Sequence, residues 1–502
     1  MGSEQSQTGE IGFFKGVLLS SAGSMTNIVV LFTETAIAVR LLETTSYGVY
    51  VLLIAIANFL VMGMDFGCKI SVTQQIASSD KRTQSDIVNT VVLFRILTSI
   101  IMAIVIWYVP NAFAWLDPTG ELLQYVVWLP AMFAFTSFDQ LAEAMLKGFK
   151  QYQHVAIAQT TRSLLRLCLT ILLLMVFELG ILGVILSWVL SFAFSCVYQY
   201  IRLPIPKRLK LKKETLVATL RFGAPIQMTY FLWHISGQIQ VVILSTFTGP
   251  ASVAIFDVAA KIPLALQRFS ESFISVYFPT MSTLLSNKQL KKAGWMLNQS
   301  LKLSSFIVGI GVLVGVLFSR EIMGILFSAE YVVGALAFSI MLLSFHMMFA
   351  VNLLGYTLTS AGYPKLTLVD NGVRAVSSLV AAITLIPIFN FNGAAISRLV
   401  SNYAAGPVVI WLLNQKEIPV TVKPFVLQSV LLWAACLGGW LLYGSSLSFL
   451  SGMLLRLFIV LLFAITNFAL STVSLREIFS LIPIPMLKRI GIHDKVHVQA
   501  QP

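Results

Sequence analysis

The sequence predicts an all-α polytopic membrane protein with about 14 transmembrane helices, and three observations predict it. Of the 502 residues, 57% are hydrophobic and 11% charged, with a mean hydropathy of +0.85, too little charge to solvate a soluble fold of this length. Apolar runs long enough to span a bilayer follow one another along the chain, broken by short polar segments. The basic residues alternate between loops, so the net charge of +13 reports orientation in a membrane and not nucleic-acid binding.

Taken in order, the spans begin near Gly16, Gly48, Val88, Leu122, Val155 and Ile181, then near Phe222, Val253, Leu303, Val332, Lys365 and Gly393, and finally near Pro424 and Ser451. The first run follows Lys15 without a small-residue cleavage site and is longer than a signal-peptide core, so it is expected to remain as a span. Turn formers punctuate the ends: Pro110, Pro118, Thr248-Gly249-Pro250, Gly362-Tyr363-Pro364 and Pro387. With the amino terminus inside, the inward loops hold Lys69, Lys81, Arg82, Lys147, Lys150, Lys288, Lys365, Lys416 and the basic run from Arg202 to Lys213, whereas the outward loops hold only Arg320. The positive-inside rule then places both termini in the cytoplasm of a multi-pass cell (inner) membrane protein.

The chain repeats itself. Residues 42–50 resemble 248–256, and Gly183-Val184-Ile185-Leu186-Ser187 resembles Gly393-Ala394-Ala395-Ile396-Ser397, at nearly the same offset of just over two hundred residues. The expected organisation is an N-lobe over 1–201 with spans one to six, a basic cytoplasmic linker over 202–220, and a C-lobe over 221–415 with spans seven to twelve. An appended pair, spans thirteen and fourteen, occupies 416–473, and 474–502 form a cytoplasmic tail. An even number of spans per repeat keeps the lobes in the same orientation, with substrate expected between them.

Ionisable groups within a span are costly, so their angular positions carry functional information. On span eight Asp257, Lys261, Arg268, Glu271 and Ser275 follow at i, i+4, i+11, i+14 and i+18, a single stripe at about 100° per residue. Span seven presents Gln227, Tyr230, His234, Gln238 and Ser245. Ser20, Ser24, Asn27 and Glu34 share an arc of span one, and Asn58 and Asp65 share a face of span two. Polar side chains also join packed helices, but four charges on one stripe call for water or several partners.

A second cluster sets Asp139 and Glu143 on span four against Arg162 and Arg166 on span five, each couple one turn apart, so that ion pairs between neighbouring helices are expected. Asp370 and Arg374 offer a pair within span eleven, where Arg374 takes the place that Arg162 holds in the first lobe. His234 and His346 are expected to hydrogen-bond to neighbouring helices, with proton coupling as the other reading, and Arg398 and Arg456 to snorkel. Cys68, Cys168, Cys196 and Cys436 stand singly, as buried thiols do. No phosphate loop, nucleophile with base or metal constellation is present in the sequence, so no cofactor, no metal and no enzymatic chemistry are expected.

Val39-Arg40-Leu41-Leu42 through Tyr47-Gly48-Val49-Tyr50, Arg221-Phe222-Gly223-Ala224-Pro225, Leu326-Phe327-Ser328-Ala329-Glu330-Tyr331, and Leu354-Gly355-Tyr356 followed by Ala361-Gly362 resemble the polysaccharide and O-antigen flippases of the multidrug/oligosaccharidyl-lipid/polysaccharide exporter superfamily. The resemblance covers roughly residues 12 to 415. It implies two parallel-repeat six-helix lobes around a central V-shaped cavity, an extra C-terminal helix pair, and alternating access. It also implies the cargo, a polyprenyl-diphosphate-linked oligosaccharide flipped from the cytoplasmic to the outer leaflet for cell-surface polysaccharide such as lipopolysaccharide. In such proteins spans one, two, seven and eight line the cavity, and those are the spans with polar faces.

A diphosphate crossing hydrocarbon needs cations, which makes Lys261, Arg268, Arg162 and Arg374 the candidate headgroup ligands. Asn27, Gln227, Tyr230 and Gln238 are candidates for the sugar, and Glu34, Asp257, Glu271 and His234 for gating or coupling. Expected partners are the lipid-linked oligosaccharide, membrane lipids, and polysaccharide polymerase or assembly proteins. A lipid II-type precursor flippase and a cation-coupled multidrug exporter of the same superfamily are the alternative functions.

Overall fold

The structure, a computed structural model, describes residues 27–205, 211–442, 449–470, 472 and 473. The expected start of span one at Gly16, the Ser20 and Ser24 positions, Lys207, Arg208 and Lys210, and the 474–502 tail lie outside the described residues.

Without water to satisfy its backbone, an apolar segment must close its own hydrogen bonds, and a helix does so within one segment. The described residues are accordingly helical, with no strand among them. Helix α1 covers residues 27–41 and is followed by α2 (Thr44–Gly63), α3 (Cys68–Ser78), α4 (Lys81–Tyr108), α5 (Glu121–Tyr125), α6 (Leu129–Gly148), α7 (Tyr152–Ile171) and α8 (Ile181–Arg202). The second half contains α9 (Lys213–Thr248), α10 (Pro250–Ser286), α11 (Leu290–Leu317), α12 (Ser319–Leu326), α13 (Ala335–Ser360), α14 (Thr367–Gln415), α15 (Lys423–Leu442) and α16 (Phe449–Ala469). Ten helices among the described residues are long and apolar enough to cross a membrane. The short helices α3 and α12 have no counterpart among the expected spans, since segments of 11 and 8 residues cannot reach across a bilayer.

Local chemistry sets several boundaries. Asp80 caps α4, accepting from the Arg82 amide at 3.2 Å and the Thr83 hydroxyl at 2.5 Å, and the Thr83 bond holds its carboxyl below the usual carboxylate range. Asn390 breaks α14 into two halves, with φ 54° and ψ −134° inside an otherwise helical path. Gly180, 210 residues earlier, precedes α8 with φ 56° and ψ −135°. The same backbone bend therefore stands at the same offset as the sequence repeat, in a region of φ that favours glycine.

The helices gather into two compact units. The first takes Met1–Lys261, Met323–Gly334 and Ser378–Ser397; the second takes Ile262–Ile322, Ala335–Ser377 and Arg398–Pro502. One core of the first unit joins Cys68, Val72 and Ile76 of α3 to Val88 and Val91 of α4 and Leu141 and Met145 of α6. Gly148 lets α6 approach α3 there, because a Cβ at that position would press on Ile76. A core of the second unit packs Leu297 and Leu301 of α11 against Val351 and Leu354 of α13 and Val409 and Leu413 of α14.

Candidate functional site

In the first unit a chain of polar contacts links α1, α2, α7 and the start of α10. Glu34, 4% exposed, accepts from Arg166 Nε at 2.7 Å, and the Arg166 guanidinium lies 5.0 Å over the Trp188 ring. The Tyr50 ring lies 6.2 Å from that of Tyr47 on α2. The Tyr47 hydroxyl donates to Asp257 at 2.8 Å, and Asp257 also holds the Lys261 ammonium at 2.8 Å, one turn along α10. Charges in a medium of low polarity are stable when paired and hydrogen-bonded in this way.

A second polar group lies on α3, α4, α6, α7 and α8. Asp139 is fully buried and accepts from Arg162, from Ser195 at 2.5 Å and from Gln199 at 2.7 Å; Arg162 also covers the Phe192 ring. The expected ion pairing between spans four and five is present for Asp139 and Arg162. It is not present for Glu143, which pairs with Lys147 at 2.6 Å, because Arg166 is taken by Glu34. Asp65, read from the sequence as part of a wettable face, is instead sealed in a pair with Arg95 at 2.6 Å, both side chains 1% exposed. Arg95, unremarked in the sequence reading, also donates to the Met64 carbonyl. Its signal was available: it is a charge within a span, which demands a partner.

Of the candidate sugar ligands, Asn27 is half-buried at the first described position of α1. Gln227 is buried and donates to the Met62 carbonyl at 2.7 Å, tying α9 to the end of α2. Tyr230 is exposed and Gln238 half-buried. The half-buried His234 ring packs edge-on against Phe59, 5.1 Å between centroids. Close backbone approaches hold the same elements together: a Cβ at Gly48 would strike the Pro250 carbonyl, and one at Gly67 would strike Gly223. Arg40, at the end of α1, donates to the main-chain carbonyls of Phe327 at 2.6 Å and Ile325 at 2.7 Å, and the Thr44 hydroxyl to Glu330 at 3.2 Å.

In the second unit Arg374 holds Asp370 at 3.2 Å and the Asn402 carbonyl oxygen at 3.1 Å, all buried. Arg268 and Glu271 are exposed, and among the described residues the Arg268 guanidinium pairs with no carboxylate. His346 bonds Ser305 at 2.9 Å and stacks on Phe425. Arg456 does not snorkel as expected but pairs with Glu321 and covers the Phe318 ring. No group of His, Cys, Asp and Glu suited to a metal ion occurs among the described residues.

The fold is similar to that of the lipid II flippase MurJ in an inward closed conformation, with a TM-score of 0.70 at 14% identity over 90% of this chain and 99% of that one. It is also similar to that of an inward-facing multidrug resistance MATE family transporter, with a TM-score of 0.60 at 15% identity over 78% and 93% of the two chains. A family model described as polysaccharide biosynthesis protein matches residues 37–335, and the chain belongs to that family. The capsular polysaccharide biosynthesis protein CapF of Staphylococcus aureus is 19% identical over 67% of this chain and 84% of its own length. The resemblance read from the sequence is thereby borne out: this is a multi-pass membrane protein of a polysaccharide biosynthesis family, with a fold like that of the lipid II flippase and the MATE transporter.

Proposed function

We propose that the protein flips a polyprenyl-diphosphate-linked oligosaccharide from the cytoplasmic to the outer leaflet of the cell (inner) membrane by alternating access, with both termini in the cytoplasm and no chemistry performed on the glycan. The observation that carries this reading is the graded availability of cations along α10. Arg268 is exposed without a carboxylate partner among the described residues. Lys261, seven residues earlier on the same helix, is half-buried and, among the described residues, is held by Asp257 alone, besides which Asp257 has Tyr47 as a donor. A diphosphate can compete with Asp257 for Lys261, and Tyr47 goes on donating to the carboxylate.

Arg162 and Arg374 have deeper partnerships and suit a supporting role in shaping the passage. Glu34, Asp257 and Glu271 are the proposed gate carboxylates. The glycan meets Asn27, Tyr230 and Gln238 while the polyprenyl tail stays in lipid. Polysaccharide polymerase or assembly proteins would take the product.

The fold likeness to MurJ favours a second reading, a lipid II-type precursor as cargo. A leaflet-translocation assay in proteoliposomes tests both, with a lipid-linked oligosaccharide and lipid II as parallel cargoes. Translocation of the first, impaired by K261Q and R268Q at unchanged amounts of folded protein, is the expected result. Normal flipping by both single variants and their double variant would sink the assignment of the cations, and transport of lipid II alone would favour the second reading.

A further inference from the structure

The charges packed among α3, α4, α6 and α7 pair off with one cation left over. Arg95 holds Asp65, Lys147 holds Glu143 and Arg162 holds Asp139. Lys69, at the start of α3, is half-buried and has no carboxylate within ion-pair distance among the described residues. Its ammonium donates to a neutral acceptor, Gln140 Oε1, at 2.7 Å. An amide dipole offsets only part of the cost of holding a full charge away from water. Two of the three ammonium N–H bonds and the Gln140 NH2 remain available to an acceptor.

The Asp65 and Glu143 carboxylates of this group are already held by Arg95 and Lys147. A surplus cation and a free amide NH2 together have the donors that a phosphate oxygen accepts from.

We propose that Lys69, with Gln140 beside it, binds a phosphate group of a diphosphate ester, a contact separate from the cations of α10. The inference rests on the anionic-cargo reading above and adds a residue to it. The same chemistry would accept the phosphate of a membrane phospholipid, and the test separates the two.

The test uses full-length protein in detergent, with farnesyl diphosphate as the probe, farnesol as its uncharged counterpart and phosphatidylglycerol as the competing phospholipid, followed by tryptophan fluorescence. Wild type and K69R are expected to bind farnesyl diphosphate, and K69Q to bind it at least about 10-fold more weakly, with farnesol binding unchanged. K69M serves as the second variant: it removes an unpaired charge from a half-buried place, so its unfolding temperature is expected to equal or exceed that of wild type while binding falls. That opposite movement is one a purely structural lysine would not give. Equal affinity of wild type, K69Q and K69M for farnesyl diphosphate overturns the site and leaves the proposed cargo standing. Absence of farnesyl diphosphate binding by wild type overturns the anionic-cargo reading and the site with it, and displacement by phosphatidylglycerol that depends on Lys69 overturns the assignment to cargo.

Discussion

Glu34 on α1 and Arg166 on α7 meet as a buried ion pair, with Arg166 Nε at 2.7 Å and Nη2 at 2.6 Å from the same carboxylate oxygen. Removing one member leaves the other charged and alone, at a cost of about 3–5 kcal/mol, whereas removing both is often close to neutral. R166M is therefore expected to lower the unfolding temperature sharply, and E34L/R166M to recover most of the loss. Thermal unfolding followed by size exclusion in detergent reads this; a double variant no better than R166M would show that the pair is not the source of the effect.

Asp139 gathers Arg162, Ser195 and Gln199 onto one fully buried carboxylate. D139A should leave all of these donors without their acceptor and reduce folded protein in the membrane strongly. S195A removes a single hydrogen bond to a charged group and is expected to cost about 1.5–3 kcal/mol. Yields of monodisperse protein rank the variants, and an S195A loss equal to that of D139A would contradict the shared-acceptor arrangement.

Gly67 has φ 76°, and a Cβ there would meet the Gly223 backbone. G67A combines an unfavourable backbone region with a steric clash and is expected to destabilise the protein, as is G223A at the facing position. Gly63 has open space around its Cβ position, so G63A is the control and should stabilise α2 by up to about 1 kcal/mol. Equal unfolding temperatures for G67A and G63A would remove the close approach from the explanation.

The Arg40 fork engages two carbonyls at the end of α12 and just beyond it. R40A is expected to raise amide exchange across 319–334, and R40K to restore protection only in part, because an ammonium lacks the planar fork. Hydrogen exchange with peptide mass analysis measures it; unchanged exchange in R40A would mean the clasp does not hold that segment.

The fold class was legible because hydropathy and helix length are set by the bilayer, and each apolar run answers to them separately. The Asp139–Arg162 and Asp370–Arg374 pairs were legible for a related reason: their members lie on consecutive helices or on one helix, where helical spacing limits the choices. Arg166 was harder. Its partner Glu34 lies 132 residues away in sequence, and nothing in either helix says which distant face it meets. Asp65 looked wettable by its angle on span two, but it lies beyond the end of α2, where the chain turns and Arg95 closes over it. The helix α3 escaped notice because it is too short to give a hydropathy signal. The Tyr47–Asp257 contact joins segments 210 residues apart and uses a tyrosine that reads as ordinary apolar bulk.

The Arg40 clasp has an unequal sensitivity to mutation. It grips main-chain oxygens, which every replacement at position 325 would still supply, and Ile325 itself is 73% exposed. Every replacement of Arg40, by contrast, loses the two-pronged grip, which needs the planar guanidinium. A saturation scan would therefore find intolerance at Arg40 opposite a permissive Ile325, and substitutions at the two positions would show little epistasis although the residues touch. Such a joint can persist while one of its two sides drifts.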